Sequence, residues 1–192
     1  MAKKNLIAKY KEASPEERGK LAEKVGEDAC NYEINIRGCC QSVLAAIQEN
    51  LGLGDIDVYK SASAMAAGVA GNGEICGALL AGIMSIGIAY GRDNTEEFTR
   101  TSKTYQLARA RAGRLTDKFR EEFGSLRCTD VLTKLHGRPF DLRNPEDYKQ
   151  LGVPEIHDKC AYITCKKAGI MAIEELLAPA PEGVESMMDA KK

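Results

Sequence analysis

The residues best suited to chemistry in this chain are its cysteines. Seven stand in 192 residues: Cys30, Cys39, Cys40, Cys76, Cys128, Cys160 and Cys165. No two are spaced C-x-x-C, so the local signatures of thioredoxin chemistry, zinc ribbons and c-type haem attachment are missing. Single thiols spread along a chain can be gathered only by folding. Gathered thiols hold a metal or a cluster, or work as a long-range redox pair. The pattern therefore points to iron–sulfur or thiol-based redox chemistry.

Local context sorts the seven. Cys39 follows Gly38, Cys76 follows the turn Gly71–Glu74, and Cys128 follows Gly124-Ser125, each at the start of a predicted helix. Cys160 lies in the second turn after Pro154. Free backbone N–H groups and the helix dipole favour thiolate at such positions, and thiolate is both the metal ligand and the nucleophile. The plainer reading of any one cysteine is a small buried hydrophobe. Cys76 heads the run Cys76-Gly77-Ala78-Leu79-Leu80-Ala81-Gly82, and Ala78, Gly82, Ser85 and Ala89 form a stripe of small residues. Such a stripe admits a neighbouring helix or a bulky inorganic group. Cys39 and Cys40 point about 100° apart on a helix, so one serves chemistry while the other packs, or they form a reactive pair. Cys165 stands five residues past Cys160, roughly 140° around an α-helix. Cys30 and Cys165 read as plain core residues.

Two further side chains join Cys40 and Cys165 as secondary candidates. His157 precedes Cys160 by three residues and shares its helical face, so it is read as a ligand, a proton donor or a surface histidine. Glu74 is the lone charge between Ser61 and Gly91 and is read as a helix cap, with proton donation as the alternative. Phosphate-binding and dinucleotide glycine motifs and the G-x-S-x-G elbow are all missing, so no nucleotide is implied.

Positioning these residues falls to helices. Ser14-Pro15-Glu16-Glu17 reads as a cap, a first-turn proline and first-turn acids, opening a helix to about Glu33. Further helices are predicted over Cys39–Asn50, Asp57–Val69, Glu74–Tyr90, Asn94 to about Glu122, Cys128–Leu135 and Pro154–Leu177. HGRPFDLRNPEDY between the last two reads as a loop. Phe98, Tyr105, Ala112 and Phe119 recur every seven residues, with Thr101, Ala108 and Leu115 between them, which marks a packing seam to a neighbouring helix or a second subunit. No alternating segment is long enough for a strand. The expected fold is all-α, a single-domain bundle of about six to seven helices. Residues 1–13 form an N-terminal extension, 14–177 the helical redox domain, and 178–192 a disordered tail.

Composition narrows the class. Net charge is −1, so nothing drives binding to nucleic acid or anionic lipid. The apolar segment Ile75–Tyr90 is shorter than the roughly 20 residues a membrane span needs. The N-terminus carries no signal-peptide core, which implies a cytoplasmic, reducing address and argues against structural disulfides.

Taken together, Cys39-Cys40-Gln41-Ser42-Val43, Cys76-Gly77-Ala78, Phe123-Gly124-Ser125-Leu126-Arg127-Cys128 and Cys160 resemble the C_GCAxxG_C_C family of redox-active proteins, over about Gly38 to Leu177. Where the family's motif has glycine this chain has Ala81, with Gly82 one residue later, and Cys40 fills a position where the family commonly has a small residue. A related helical domain accompanies an iron–sulfur centre in split-Soret cytochromes. The resemblance implies Cys39, Cys76, Cys128 and Cys160 as cofactor ligands; without C-x-x-C-H the haem does not carry over.

The leading expectation is an iron–sulfur redox protein, [2Fe–2S] or [4Fe–4S], serving a redox partner protein in electron transfer or a small-molecule substrate as an oxidoreductase. A metal-free thiol–disulfide oxidoreductase using Cys39 or Cys76 as nucleophile is the alternative, and a zinc-stabilised interaction module the third. A homo-oligomer is compatible with each.

Overall fold

The computed structural model describes residues 5–93 and 102–183. They form α1 (Ile7–Lys11), α2 (Pro15–Asn35), α3 (Cys39–Leu51), α4 (Ile56–Ser61) continued by a 3₁₀ turn (Ala62–Met65), α5 (Gly77–Tyr90), α6 (Lys103–Phe123), α7 (Cys128–His136), α8 (Pro145–Leu151), α9 (Pro154–Cys160) and α10 (Lys166–Leu177). A π-helical turn, Ala161–Cys165, joins α9 to α10. The fold is all-α, as expected. The one β feature among the described residues is an isolated antiparallel bridge between Ile75 and Arg127.

Local chemistry sets the helix ends. Ser14 and Glu17 complete a capping box, with Glu17 N–H donating to Ser14 Oγ at 3.2 Å and Ser14 N–H to Glu17 Oε2 at 2.9 Å. Gly52, with φ +64°, closes α3 in the left-handed conformation. Asp55, not Asp57, caps α4. The helix predicted through Val69 stops at Met65. Beyond it Ala67, Gly68, Val69, Ala70 and Gly71 all have φ between +54° and +79°. Such a run costs an L-residue backbone about 1–2 kcal/mol per non-glycine position, so tertiary contacts must hold it.

The core lies where α5 packs against α3, α6 and α10, and where α2 packs against α3 and α10. Small residues set the approach. A Cβ on Gly26 would meet Ile170 Cγ1 at 2.8 Å, and one on Gly82 would meet Leu115 Cδ2 at 2.8 Å. The Gly82 part of the small-residue stripe thus serves helix packing. Leu115 and Phe119 of the heptad seam are buried within the chain; Phe98, Thr101 and the predicted helix start at Asn94 lie outside the described residues. So does residue 184 onward of the predicted tail.

Two regions depart from the sequence reading. The stretch read as a loop after α7 contains α8, because Asn144 Oδ1 accepts from Glu146 N–H at 2.9 Å ahead of Pro145 at the first turn. The predicted last helix is interrupted by the π turn, in which Lys166 N–H reaches back to Ala161 O. No helix among the described residues is long and apolar enough to cross a membrane.

Candidate redox site

Four chain-distant cysteines face one interior region. Cys39 is the first residue of α3, Cys76 the N-cap of α5, Cys128 the first residue of α7 and Cys160 the last of α9. Cys76 and Cys128 are joined through the β-bridge: Cys76 N–H donates to Leu126 O at 2.9 Å and Cys128 N–H to Glu74 O at 2.6 Å. Cys39 enters between the left-handed run and α5. The Ala67 N–H bonds the Cys39 thiol, and a Cβ on Gly77 would meet Cys39 Sγ at 2.6 Å. Gly68 is held as tightly, since its Cβ would meet Glu74 N at 2.5 Å and Cys128 Cβ at 2.8 Å. Glycine is required there both by φ +67° and by this crowding.

The segment between α7 and α8 covers the site. Phe140 and Leu142 are buried against Cys128 and Leu132, with Cys160 packed at the edge of this cluster. Arg138 stacks 3.9 Å over the Phe140 ring and pairs with Asp147 at 2.9 Å, fixing the cover.

Burial dominates the electrostatics. Cys39 and Cys160 keep some residue surface, yet desolvation is the largest influence on both thiols. It holds Cys39 well above an ordinary thiol, pushes Cys160 up to about 12, and raises Cys76 and Cys128. Charge on neighbouring thiols adds to this: Cys76 acts on Cys39, Cys128 and Cys160. The N–H groups of Leu79 and Ala78 favour the Cys76 thiolate, as expected at a helix start, but burial outweighs them. The sequence expectation of thiolates therefore reverses: unaccompanied, these sulfurs stay protonated.

The remaining candidates separate. Cys40 turns into the core, with its thiol 4.0 Å from Met84 Sδ, and burial pushes it up to about 12. Cys30 is buried with Lys166, Asp158 and Glu33 as its electrostatic neighbours. Cys165 lies in the core as read, but the direction assigned to it is a correction. The i→i+5 pattern of the π turn brings residues five apart back to one face, and Cys160, Cys39 and Cys76 all act on the Cys165 thiol. Glu74 is another: Cys76 occupies the N-cap of α5, while the Glu74 carboxylate points outward to Arg127 at 3.2 Å.

His157 is neither a surface histidine nor aligned on a thiol. It is buried, with Nε2 3.1 Å from Glu33 Oε1, and Glu33 Oε2 accepts from Ser42 Oγ at 3.0 Å. The hydrogen bond to Glu33 raises its pKa against the opposing effect of burial. Sequence reading missed Glu33, whose only local sign was an acid on the buried face of α2.

Thr164 is buried, and its hydroxyl is the side-chain group that favours ionised Cys160. Among the described residues no three His, Cys, Asp or Glu side chains close on a single ion.

The model of the C_GCAxxG_C_C family, described as "Putative redox-active protein", matches residues 38–173. The chain belongs to the C_GCAxxG_C_C family. No curated protein and no solved structure matches it. The C_GCAxxG_C_C match begins one residue before Cys39 and spans Cys76, Cys128, Cys160, Cys165 and His157, but leaves out α2 and with it Glu33 and Cys30.

Proposed function

We propose that this redox-active protein holds an iron–sulfur cluster on Cys39, Cys76, Cys128 and Cys160 and passes single electrons to a redox partner or a small-molecule substrate. The observation that carries the reading is the electrostatic state of the four thiols. They are gathered, covered and desolvated, and the strongest charges acting on them are other thiols and Glu33. Ionising four such sulfurs together needs a compensating cationic centre. A cluster brings its own bridging sulfides and takes thiolates spread around it rather than drawn to one point. Four thiolates suit [2Fe–2S] or [4Fe–4S] alike.

This chain's own residues prepare that role. Ala67, Ala78 and Leu79 aim backbone N–H groups at sulfur, Thr164 supplies a hydroxyl, and Gly68 and Gly77 leave room beside Cys128 and Cys39. Phe140 and Leu142 exclude water, which raises the influence of each N–H···S bond on potential. Metal-free thiol chemistry has less support, because the nucleophile must be a thiolate and burial opposes it at both Cys39 and Cys76.

The test is iron and sulfide analysis with a visible spectrum on anaerobically purified protein. The expected result is iron with equimolar sulfide and a broad charge-transfer band, lost in Cys76→Ser. Colourless, iron-free protein whose cysteines react as a reversible two-electron couple would replace the cluster with thiol–disulfide chemistry.

A further inference from the structure

A groove of about 770 Å³ is bounded by the end of α2, the outer face of α3 and the start of α4. Its walls are mostly apolar: Ile36, Ala45, Leu53 and Ile56, with Tyr32 and Tyr59. Ile36 and Ile56 are 65% and 60% exposed, which leaves apolar surface at the rim. The volume lies within the range of small-molecule sites. Two features tie it to the cysteine site. Gln41 and Ser42 line it one helical turn past Cys39. Ser42, 3% exposed, is also the first member of the buried chain Ser42 Oγ–Glu33–His157 that runs inward to α9, where Cys160 follows.

A buried carboxylate and imidazole are costly to keep unless they serve a purpose. These two connect the groove with the site and, through Asp158 at 3.4 Å from His157 Nδ1, with solvent. We propose that the groove binds a neutral, planar ring compound of the quinone class, and that Ser42, Glu33 and His157 deliver the protons its reduction takes up. The apolar walls favour an uncharged ligand and the Glu49 and Asp55 carboxylates in the lining exclude an anion, the two tyrosines suit a flat ring, and the buried hydroxyl at the floor meets a carbonyl oxygen. The proposal rests on the cluster reading for its electrons.

The balance is quinone plus two electrons plus two protons to hydroquinone. The two electrons would come from reduced protein, through the cluster that Cys39, Cys76, Cys128 and Cys160 would hold, and a low-potential donor protein would restore them. Each proton enters from Asp158 and His157, crosses Glu33 from Oε1 to Oε2, and reaches Ser42 Oγ as the Ser42 hydroxyl gives up its own to the ligand. The groups facing His157 are Glu33 and Arg37 from the α2 side and Asp158 on its own helix.

The experiment titrates 2-methyl-1,4-naphthoquinone into the full chain, purified anaerobically. The chain has no tryptophan and seven tyrosines, so quenching of tyrosine emission reports the groove. Saturable quenching is expected, weakened about tenfold in Ala45→Phe, which narrows the groove. Should that variant not fold by circular dichroism, Tyr59→Leu replaces it. Ser42→Ala is expected to leave the visible spectrum unchanged while slowing reduction of bound quinone about tenfold at saturating quinone, measured with protein reduced beforehand and freed of reductant. No saturable binding, or binding indifferent to Ala45→Phe and Tyr59→Leu, overturns the groove even where iron is present. A dimer that Ala45→Phe splits puts a second copy in the groove and overturns it too. Binding that Ala45→Phe weakens in iron-free protein upholds the groove as a ring-compound site and sinks the cluster reading instead.

Discussion

Cys76 and Cys128 are held beside one another by their own main chains, not by their side chains. Each donates its N–H across the Ile75–Arg127 bridge, to Leu126 O at 2.9 Å and Glu74 O at 2.6 Å. The N-termini of α5 and α7 are thereby fixed in register before any ligand binds. A site assembled from backbone is insensitive to most surface substitution, and that distinction can be tested.

Arg127 and Glu74 cap the same bridge with an ion pair at 3.2 Å, but their side chains are 52% and 56% exposed. Exposed pairs contribute about 0–1 kcal/mol. Arg127→Ala should therefore lower unfolding free energy by less than about 1 kcal/mol and leave iron content unchanged. Urea denaturation and metal analysis check both. A large loss of iron would mean that the side chains, not the bridge, position the cysteines.

Gly77 sits beneath the Cys39 sulfur. In Gly77→Ala the new methyl would lie 2.6 Å from Sγ and 2.8 Å from Met65 O, so one of them must move. The expected cost is about 1–3 kcal/mol, with a shifted visible spectrum or reduced iron occupancy. Gly113→Ala, in the middle of α6 where a Cβ meets nothing within 4 Å, is the control and should stabilise by about 0.5–1 kcal/mol with the spectrum unchanged.

The Glu33–His157 pair gives stability a pH dependence. Hydrogen bonding to Glu33 raises the folded pKa of His157 above the unfolded value of about 6.5. Its contribution is complete below that value and fades as pH climbs through the folded pKa. Urea unfolding of the wild type between pH 6 and 9 should show this decline, and His157→Gln should remove it. A decline of equal size in the variant would assign it to another group.

Glu175 is the anchor of α10. Its carboxylate takes Arg114 at 2.6 Å and Arg111 at 3.4 Å, and the Arg111 side chain is 2% exposed. Arg111 also stacks 4.3 Å over Tyr90 and bonds the Glu175 carbonyl at 2.7 Å. Glu175→Ala strands a buried guanidinium and should cost about 3–5 kcal/mol, read by chemical denaturation. Glu16→Ala, which breaks only the exposed Lys20 pair, should be close to silent.

Thiol reactivity provides a further check. Burial pushes Cys40 and Cys160 up to about 12, and thiolate is the reacting form. In metal-stripped but folded protein, alkylation near neutral pH should be far slower than in urea, with Cys40 and Cys165 last by peptide mass mapping. Rapid modification of Cys39 or Cys76 in the folded state would revive the nucleophile reading.

The amino-acid sequence by itself determined the helices and which thiols sit at their starts. Ser14-Pro15-Glu16-Glu17, Gly38 before Cys39 and Gly52 after Leu51 act within one turn, through caps and left-handed glycines, so they are readable without knowing the fold. The same locality explains the misreadings. Ala67–Val69 looks helical by residue type, yet hydrogen bonds such as Gly73 N–H to Ala67 O and Glu74 N–H to Gly68 O hold it left-handed. Cys165 reads as diverging from Cys160 because a regular helix was assumed, and the π turn is not written in residue type. Only the tertiary structure decided that four helix starts and ends meet, that Glu33 from α2 reaches His157 on α9, and that the thiols are protonated when alone. Desolvation and charge coupling depend on what packs nearby, and residues more than a hundred positions apart are neighbours only once the chain has folded.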